Sequence, residues 1–299
     1  GTMKRTGFAA IIFLLIYFFP IFASAEQFKI TINKTKVYQA EILKIQMARK
    51  KNIPFYITFL GQKYESFLFG NHQTVLIGIH YQLKPGTYTL AGYFSGSPGV
   101  YFPFGYRIEV KEKFKPKKYI VPKRPPAVQE EINKKFPEFQ SIFNKSHPQP
   151  FFKEGFVQPI RKVYISKDGN FGADRCAGRK IKSIYCRYHI GTDFRATFDE
   201  ERKKPEKIFA INKGKIIKAD FYPNMGNVIV IDHGGGIFSS YLHLSKFLIK
   251  EGDTVRRGQI IAIAGRTGTT EAIHLHLTIK MDNGKTVVDP QKFLRLLGQ

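Results

Sequence analysis

The stretch "GNVIVIDHGGGIFSSYLHL", Gly226 to Leu244, places two apolar runs on either side of three consecutive glycines. No Lys-Ser/Thr pair and no opening helix follows Gly234 to Gly236, so the glycines predict a hairpin turn and not a phosphate loop. Short runs of this kind fill most of the chain. From Gln27 to about Lys113 they include "FKITIN", "PFYITFLG", "TVLIGIHYQL", "GTYTLAGYF" and "FGYRIEVK", rich in Ile, Val, Tyr, Phe and Thr, with turn cues such as Lys84-Pro85-Gly86. From about Phe156 onward the pattern returns in "KIFAINKGKIIKADF", "GQIIAIAG" and "AIHLHLTIKM". Enrichment in β-branched and aromatic residues between turn signals predicts an all-β protein.

Between the two β regions the composition shifts to lysine and proline, which predicts an extended connector carrying one short helix near residues 126 to 145. The expected organisation is therefore a β-sandwich-like unit over residues 26–115, a basic linker over 116–155, and a second, antiparallel β domain over 156–299. With 299 residues, 43% of them hydrophobic, the chain can build two cores. Residues 1–25 read differently: Gly1-Thr2 look like a tag remnant, and Lys4-Arg5 precede the apolar run "FAAIIFLLIYFFPIFASA", which ends in Ala23-Ser24-Ala25. A basic start, an apolar middle and an A-x-A end predict a cleaved secretory signal, with Pro20 arguing against an uncleaved anchor. Membrane contact is expected through that signal alone, and the periplasm or cell envelope is the expected destination.

In an oxidising compartment, Cys176 and Cys186 are candidates for a disulfide. The formal net charge of +25 favours polyanionic partners, which for an exported protein are envelope polymers or anionic lipid surfaces; nucleic acid is not expected.

Chemistry concentrates late in the chain. "EAIHLHLTIK" puts His274 and His276 two apart in a strand-like run, so both project from one face while Ile273, Leu275 and Leu277 point the other way. Two imidazoles side by side in an apolar strand have a reason to be there if a metal ion binds. Upstream, "YHIGTDF" supplies His189 and Asp193, both good zinc ligands. Together with one histidine of the pair they make three protein ligands and leave a position open, the arrangement of a catalytic zinc. His243 in "SYLHLS" and the other histidine of the pair remain for proton transfer.

These segments resemble the lysostaphin/LytM-type zinc metallopeptidases, which cut peptide bonds in bacterial peptidoglycan. The likeness runs from about Arg187 to Leu294 through "HIGTD", "NKGKIIKA", "MGNVIVIDHGGGIFSSYLHLS", "EGDTVRRGQIIAIAGRTGT", "HLHL" and "VVDPQKFL", in the family's order. The resemblance implies a duplicated-hybrid-motif β fold and one zinc ion per chain, held by His189, Asp193 and His276. It implies His243 and His274 as the pair that activates water and steadies the transition state, and peptidoglycan as substrate. His233 matches a position the family does not use for ligation and is expected to be structural. Two departures bear on substrate preference: the long, basic, cysteine-bounded segment before His189, and Glu271-Ala272-Ile273 before the HxH pair.

The chief alternative is a catalytically silent or latent relative that regulates other cell-wall hydrolases; all five expected site residues are present, which favours the enzyme. A carrier domain for biotin or lipoate would need a lysine at a hairpin tip, and none sits in that setting. The N-terminal unit could bind glycan strands or an envelope protein, or hold the enzyme latent.

Overall fold

The computed structural model describes residues 29–48, 54–95, 101–114, 125–144, 146–176, 186–199 and 204–298. The expected signal segment lies outside them, as do the side chains of Cys176 and Cys186. Their backbones are cross-strand partners in a two-stranded antiparallel ladder, Asp174–Cys176 against Cys186–Tyr188.

The all-β expectation holds. In the N-terminal unit, a four-stranded sheet runs in the order Lys29–Ile32, Ile42–Ala48, His72–Gly78, Phe67–Phe69. A five-stranded sheet runs Lys36–Tyr38, Tyr101–Lys111, Gly86–Ser95, Phe55–Phe59, Gln62–Glu65. The sheets enclose a core of Leu43, Ile45, Phe55, Ile57, Val75, Ile77, Leu90 and Ile108. Alternation along the strands sends every second residue the other way. On the four-stranded sheet those residues include Ile42, Phe69 and Leu76, which enter the core of the C-terminal domain. This explains why these strands are apolar on both faces: the sheet is an inner layer. At Gly78 a Cβ would meet Thr286 Cγ2 at 2.7 Å and Val288 Cγ1 at 3.0 Å, so the two units close to backbone distance there.

The linker helix, α1 (Pro126–Ser141), continues into a short 3-10 turn, Ile142–Asn144. Pro126 suits the first turn, where its missing N–H has no partner to lose. Phe139 and Phe143 pack edge-on against Tyr222 and Phe238 respectively, at ring-centroid separations of 5.0 and 5.3 Å. The helix thus docks on the C-terminal domain.

That domain is a seven-stranded antiparallel sheet. Its main path runs Thr192–Arg195, His274–Met281, Phe238–Leu244, Gly226–Asp232, Gly214–Tyr222, Thr254–Val255, and Thr286–Val288 pairs with His274–Met281. A three-stranded sheet of Lys207–Phe209, Ile260–Ile263 and Lys246–Phe247 packs with it around Ile208, Ile229, Ile231, Tyr241, Ile261, Leu275, Leu277 and Ile279. The predicted hairpin is present: Gly234, Gly235 and Gly236 all have φ between +61° and +77°, where a side chain is strained. A terminal helix, α2 (Pro290–Leu297), was not anticipated. "DPQKFL" carries its signal, because Asp289 caps the helix by accepting from Gln291 N and Lys292 N, and Pro290 starts it.

Candidate metal centre

Three adjacent strands position the site. Antiparallel register makes Asp193 the cross-strand partner of His276, and Arg195 that of His274. On its other side His276 is paired with Leu242. Partners opposite one another share a face, so Asp193 and His276 meet by register alone. Lys280 shares that face four residues on, with its Nζ 3.9 Å over the Phe143 ring. The 3-10 turn after α1 therefore covers the far end of the site's own sheet face.

His243 reaches the cluster by another route. It follows Leu242, so regular alternation would send it into the core on the opposite face. The ladder slips between Asn227 and Ile229, and His243 takes φ +65°, which turns its imidazole back toward the HxH strand. Its ring lies 4.8 Å from that of His274 and 6.1 Å from that of His276. Left-handed backbone at a non-glycine residue costs about 1–3 kcal/mol and is concentrated at functional sites.

Three atoms converge at the centre. Asp193 Oδ1 is 2.7 Å from His276 Nδ1 and 3.1 Å from His189 Nε2, and the two nitrogens are 3.0 Å apart. Among the described residues this is the one group of three or more His, Cys, Asp or Glu whose ligand atoms could share a metal ion. His274 Nε2 approaches Asp193 Oδ1 only to 3.6 Å, which separates the two members of the HxH pair.

The outer nitrogens set the tautomers. His189 Nδ1–H donates to the Asn170 carbonyl at 3.0 Å, leaving Nε2 with its lone pair toward the centre. His276 turns Nε2 to the Thr278 hydroxyl at 3.1 Å, leaving Nδ1 free to ligate. Two lone-pair nitrogens and a carboxylate oxygen this close repel one another unless a cation lies among them, and neutral imidazole plus carboxylate is a zinc donor set. The residues therefore fit the ion. Without the ion, ring protons turned toward Asp193 take the cation's place: burial by itself would raise the carboxyl's pKa, but these hydrogen bonds from His189 and His276 outweigh it and hold the carboxyl well below the usual carboxylate range. Burial pushes His276 down. It also pushes His243 down to about 4, and the neighbouring His274 and His276 add to the effect.

The proposed proton-transfer pair is held in the same way. His243 Nδ1–H donates to the Thr267 carbonyl at 2.9 Å and His274 Nδ1–H to the Ala272 carbonyl at 2.9 Å, so Nε2 is the nitrogen each leaves for proton transfer. Gly191, inside "HIGTD", lets the loop cross the HxH strand: a Cβ there would lie 2.5 Å from His276 Cε1 and 2.8 Å from Leu277 O. His233 stands apart, fully buried, with Nδ1–H donated to Lys213 O at 2.8 Å and Nε2 2.8 Å from Ser239 Oγ.

Residues 187–290 match the family model described as Peptidase family M23. The chain carries an M23 peptidase domain. The chain is 32% identical over 142 residues to peptidoglycan DD-endopeptidase ShyB of Vibrio cholerae, covering 40% of this chain and 33% of that protein. It is 38% identical over 134 residues to ShyA, a peptidoglycan DD-endopeptidase of the same organism, covering 38% of this chain and 31% of that one. Lysostaphin of Staphylococcus simulans is 35% identical over 114 residues, 37% of this chain and 22% of its own. The chain thus spans a third or less of the length of these relatives. A solved structure of a peptidase M23 from Pseudomonas aeruginosa superposes with a TM-score of 0.56 at 20% identity, over 88% of this chain and 96% of that one, and so shares its fold.

The M23 match begins at Arg187. Asn170, which orients the first candidate ligand, lies before it, and its role rests on a backbone carbonyl that carries no residue-type signal. Thr267 and Thr278 were missed for a related reason: each is an ordinary strand or turn residue until the histidine beside it is placed. Gly191 was legible as part of its motif but not as a spacer.

Proposed function

We propose that this protein is an exported zinc endopeptidase that hydrolyses peptide bonds in the stem peptides or cross-links of bacterial peptidoglycan. The observation that carries the reading is the convergence of His189 Nε2, Asp193 Oδ1 and His276 Nδ1, with the Nε2 atoms of His243 and His274 presented beside them. The named activities of ShyB, ShyA and lysostaphin support the substrate class, and the N-terminal apolar segment ending in Ala23-Ser24-Ala25 supports export to the periplasm or cell envelope.

A zinc ion bound by the three ligands supplies a Lewis acid for the scissile carbonyl and a source of hydroxide at neutral pH. Burial keeps His243 unprotonated at Nε2, so its first role is to accept a proton from the attacking water, with His274 beside it as the other member of the pair. Once protonated, the same atom becomes a donor, able to stabilise the oxyanion or pass the proton to the leaving amine. The Thr267 and Ala272 carbonyls keep each imidazole in that tautomer through the cycle.

Elemental analysis of the mature protein together with chromatography of products from purified peptidoglycan tests the reading. About one zinc per chain with new cleaved muropeptides is expected. Equal cleavage by a metal-free preparation would overturn the mechanism, and absence of both zinc and products would favour the regulator.

A further inference from the structure

The metal centre's first ligand is held by parts of the chain that lie outside the M23 match. His189 donates Nδ1–H to the Asn170 carbonyl. The Asn170 side chain is fixed in turn: its Nδ2 donates to the Ser166 and Lys167 carbonyls at 3.3 and 3.2 Å, and its Oδ1 accepts from Gln291 Nε2 at 2.7 Å. Gln291 stands in the first turn of α2, and that turn is tied to the N-terminal unit. Asp289 N donates to Ala40 O at 2.9 Å, Lys113 Nζ lies 3.5 Å from Asp289 Oδ2, and Lys292 forms an ion pair with the buried Glu41.

A second strut arrives from the end of the N-terminal sandwich. Gln39 Oε1 accepts from the backbone N–H groups of both Lys113 and Phe114, at 2.9 and 2.8 Å. Phe114 so anchored packs edge-on against Tyr188, the neighbour of His189, and against Phe171, at centroid separations of 5.1 and 5.8 Å. A Cβ on Gly172 would overlap the Phe114 ring, and Gly172 N donates to His189 O at 2.7 Å. His189 N closes the pairing by donating to Ala173 O at 2.9 Å.

We infer that Gln291 and Phe114 are positioning residues for the metal centre, acting on His189 through Asn170 and through the 171–173 segment, and that the N-terminal unit is thereby a built-in support of the site. This rests on the metal reading above. Gln291 sets the Asn170 loop, the loop carbonyl sets the tautomer and ring plane of His189, and Phe114 sets the height of its backbone. Partners of this kind behind a ligand typically change metal affinity by about 10–100-fold.

The test uses the full chain. Zinc affinity is measured by chelator competition in the wild type, Gln291→Leu, Asn170→Ala, their double variant and Phe114→Leu, with Lys63→Ala on the outer face of the five-stranded sheet as control. The visible d–d spectrum at saturating cobalt(II) is recorded for each. Asn170→Ala keeps the accepting carbonyl and removes only the side-chain anchor. Expected are about 10-fold or greater losses of zinc affinity in the single variants and a shifted cobalt spectrum. The double variant should bind zinc no worse than Asn170→Ala, because that change already removes the bond that Gln291→Leu breaks. Lys63→Ala should match the wild type. Variants that bind zinc within about twofold of wild type would overturn the inference. So would variants that melt earlier with an unmoved cobalt spectrum, since that reports support of the fold alone. A wild type that takes up no zinc would overturn the metal reading itself, which keeps the two failures apart.

Discussion

Replacing Gly191 by alanine tests the site at a single methyl group. The new Cβ would stand 2.5 Å from His276 Cε1 and 2.8 Å from Leu277 O, whereas unstrained heavy-atom contacts lie near 3.5 Å. Neither neighbour yields freely. Leu277 O belongs to a central strand paired on both sides, and the His276 ring is held between Asp193 Oδ1 at 2.7 Å and Thr278 Oγ1 at 3.1 Å. Relief therefore needs the imidazole to move by about 1 Å, far beyond the roughly 0.2 Å tolerance of a metal–ligand bond. One of three protein ligands is lost, and zinc affinity should fall by about 100-fold or more, equivalent to about 3 kcal/mol. The clash with Leu277 O persists without zinc, so in the presence of a chelator the variant should still melt below the wild type, and the loss of affinity is read from the competition itself. Gly105→Ala is the control, because a Cβ there meets only Leu90 O at an ordinary 3.5 Å. Chelator competition and thermal unfolding with and without zinc provide the readouts. A Gly191→Ala protein that binds zinc within about twofold of wild type would refute the argument from steric closure.

Substitution at the two histidine classes should split binding from rate. His276→Ala is expected to abolish zinc uptake and hydrolysis together, while His243→Ala keeps zinc by elemental analysis and loses about 10²–10⁴-fold in turnover. His233 gives a pH signature. Burial lowers its pKa from 6.5 to about 4 in the folded chain, so between those values the unfolded state takes up a proton that the folded state does not. Its contribution is fully present above about pH 6.5 and is lost as pH falls toward 4, by up to about 3 kcal/mol. Denaturant titrations in chelator should show a shallower loss over that window for His233→Gln, and an identical slope would count against the assignment. Phe143→Ala empties a site 1% exposed where α1 meets the sheet, and should lower stability by about 3–5 kcal/mol in denaturant melts.

Local pattern determined a good deal of this protein. Period two put His274 and His276 on one face, three glycines marked the turn after Asp232, and lysine and proline marked the connector, because each of these is a property of neighbouring residues. Ligand chemistry picked out His189 and Asp193 in "YHIGTDF", and the lysostaphin/LytM likeness carried the reading further by implying His276 as the third ligand and His243 as the partner of His274. Alternation could not have done so, since it assigns His243 to the wrong face. What register, bulge and packing decided was the rest. Asp193 lies opposite His276 through a pairing 83 residues apart in sequence, His243 enters the site through a left-handed kink, and His189 is oriented by a backbone carbonyl. The double-sided strands of the N-terminal sheet became intelligible only once Ile42 and Leu76 were seen in the second core. These are contacts between distant segments, and no window along the chain contains both partners.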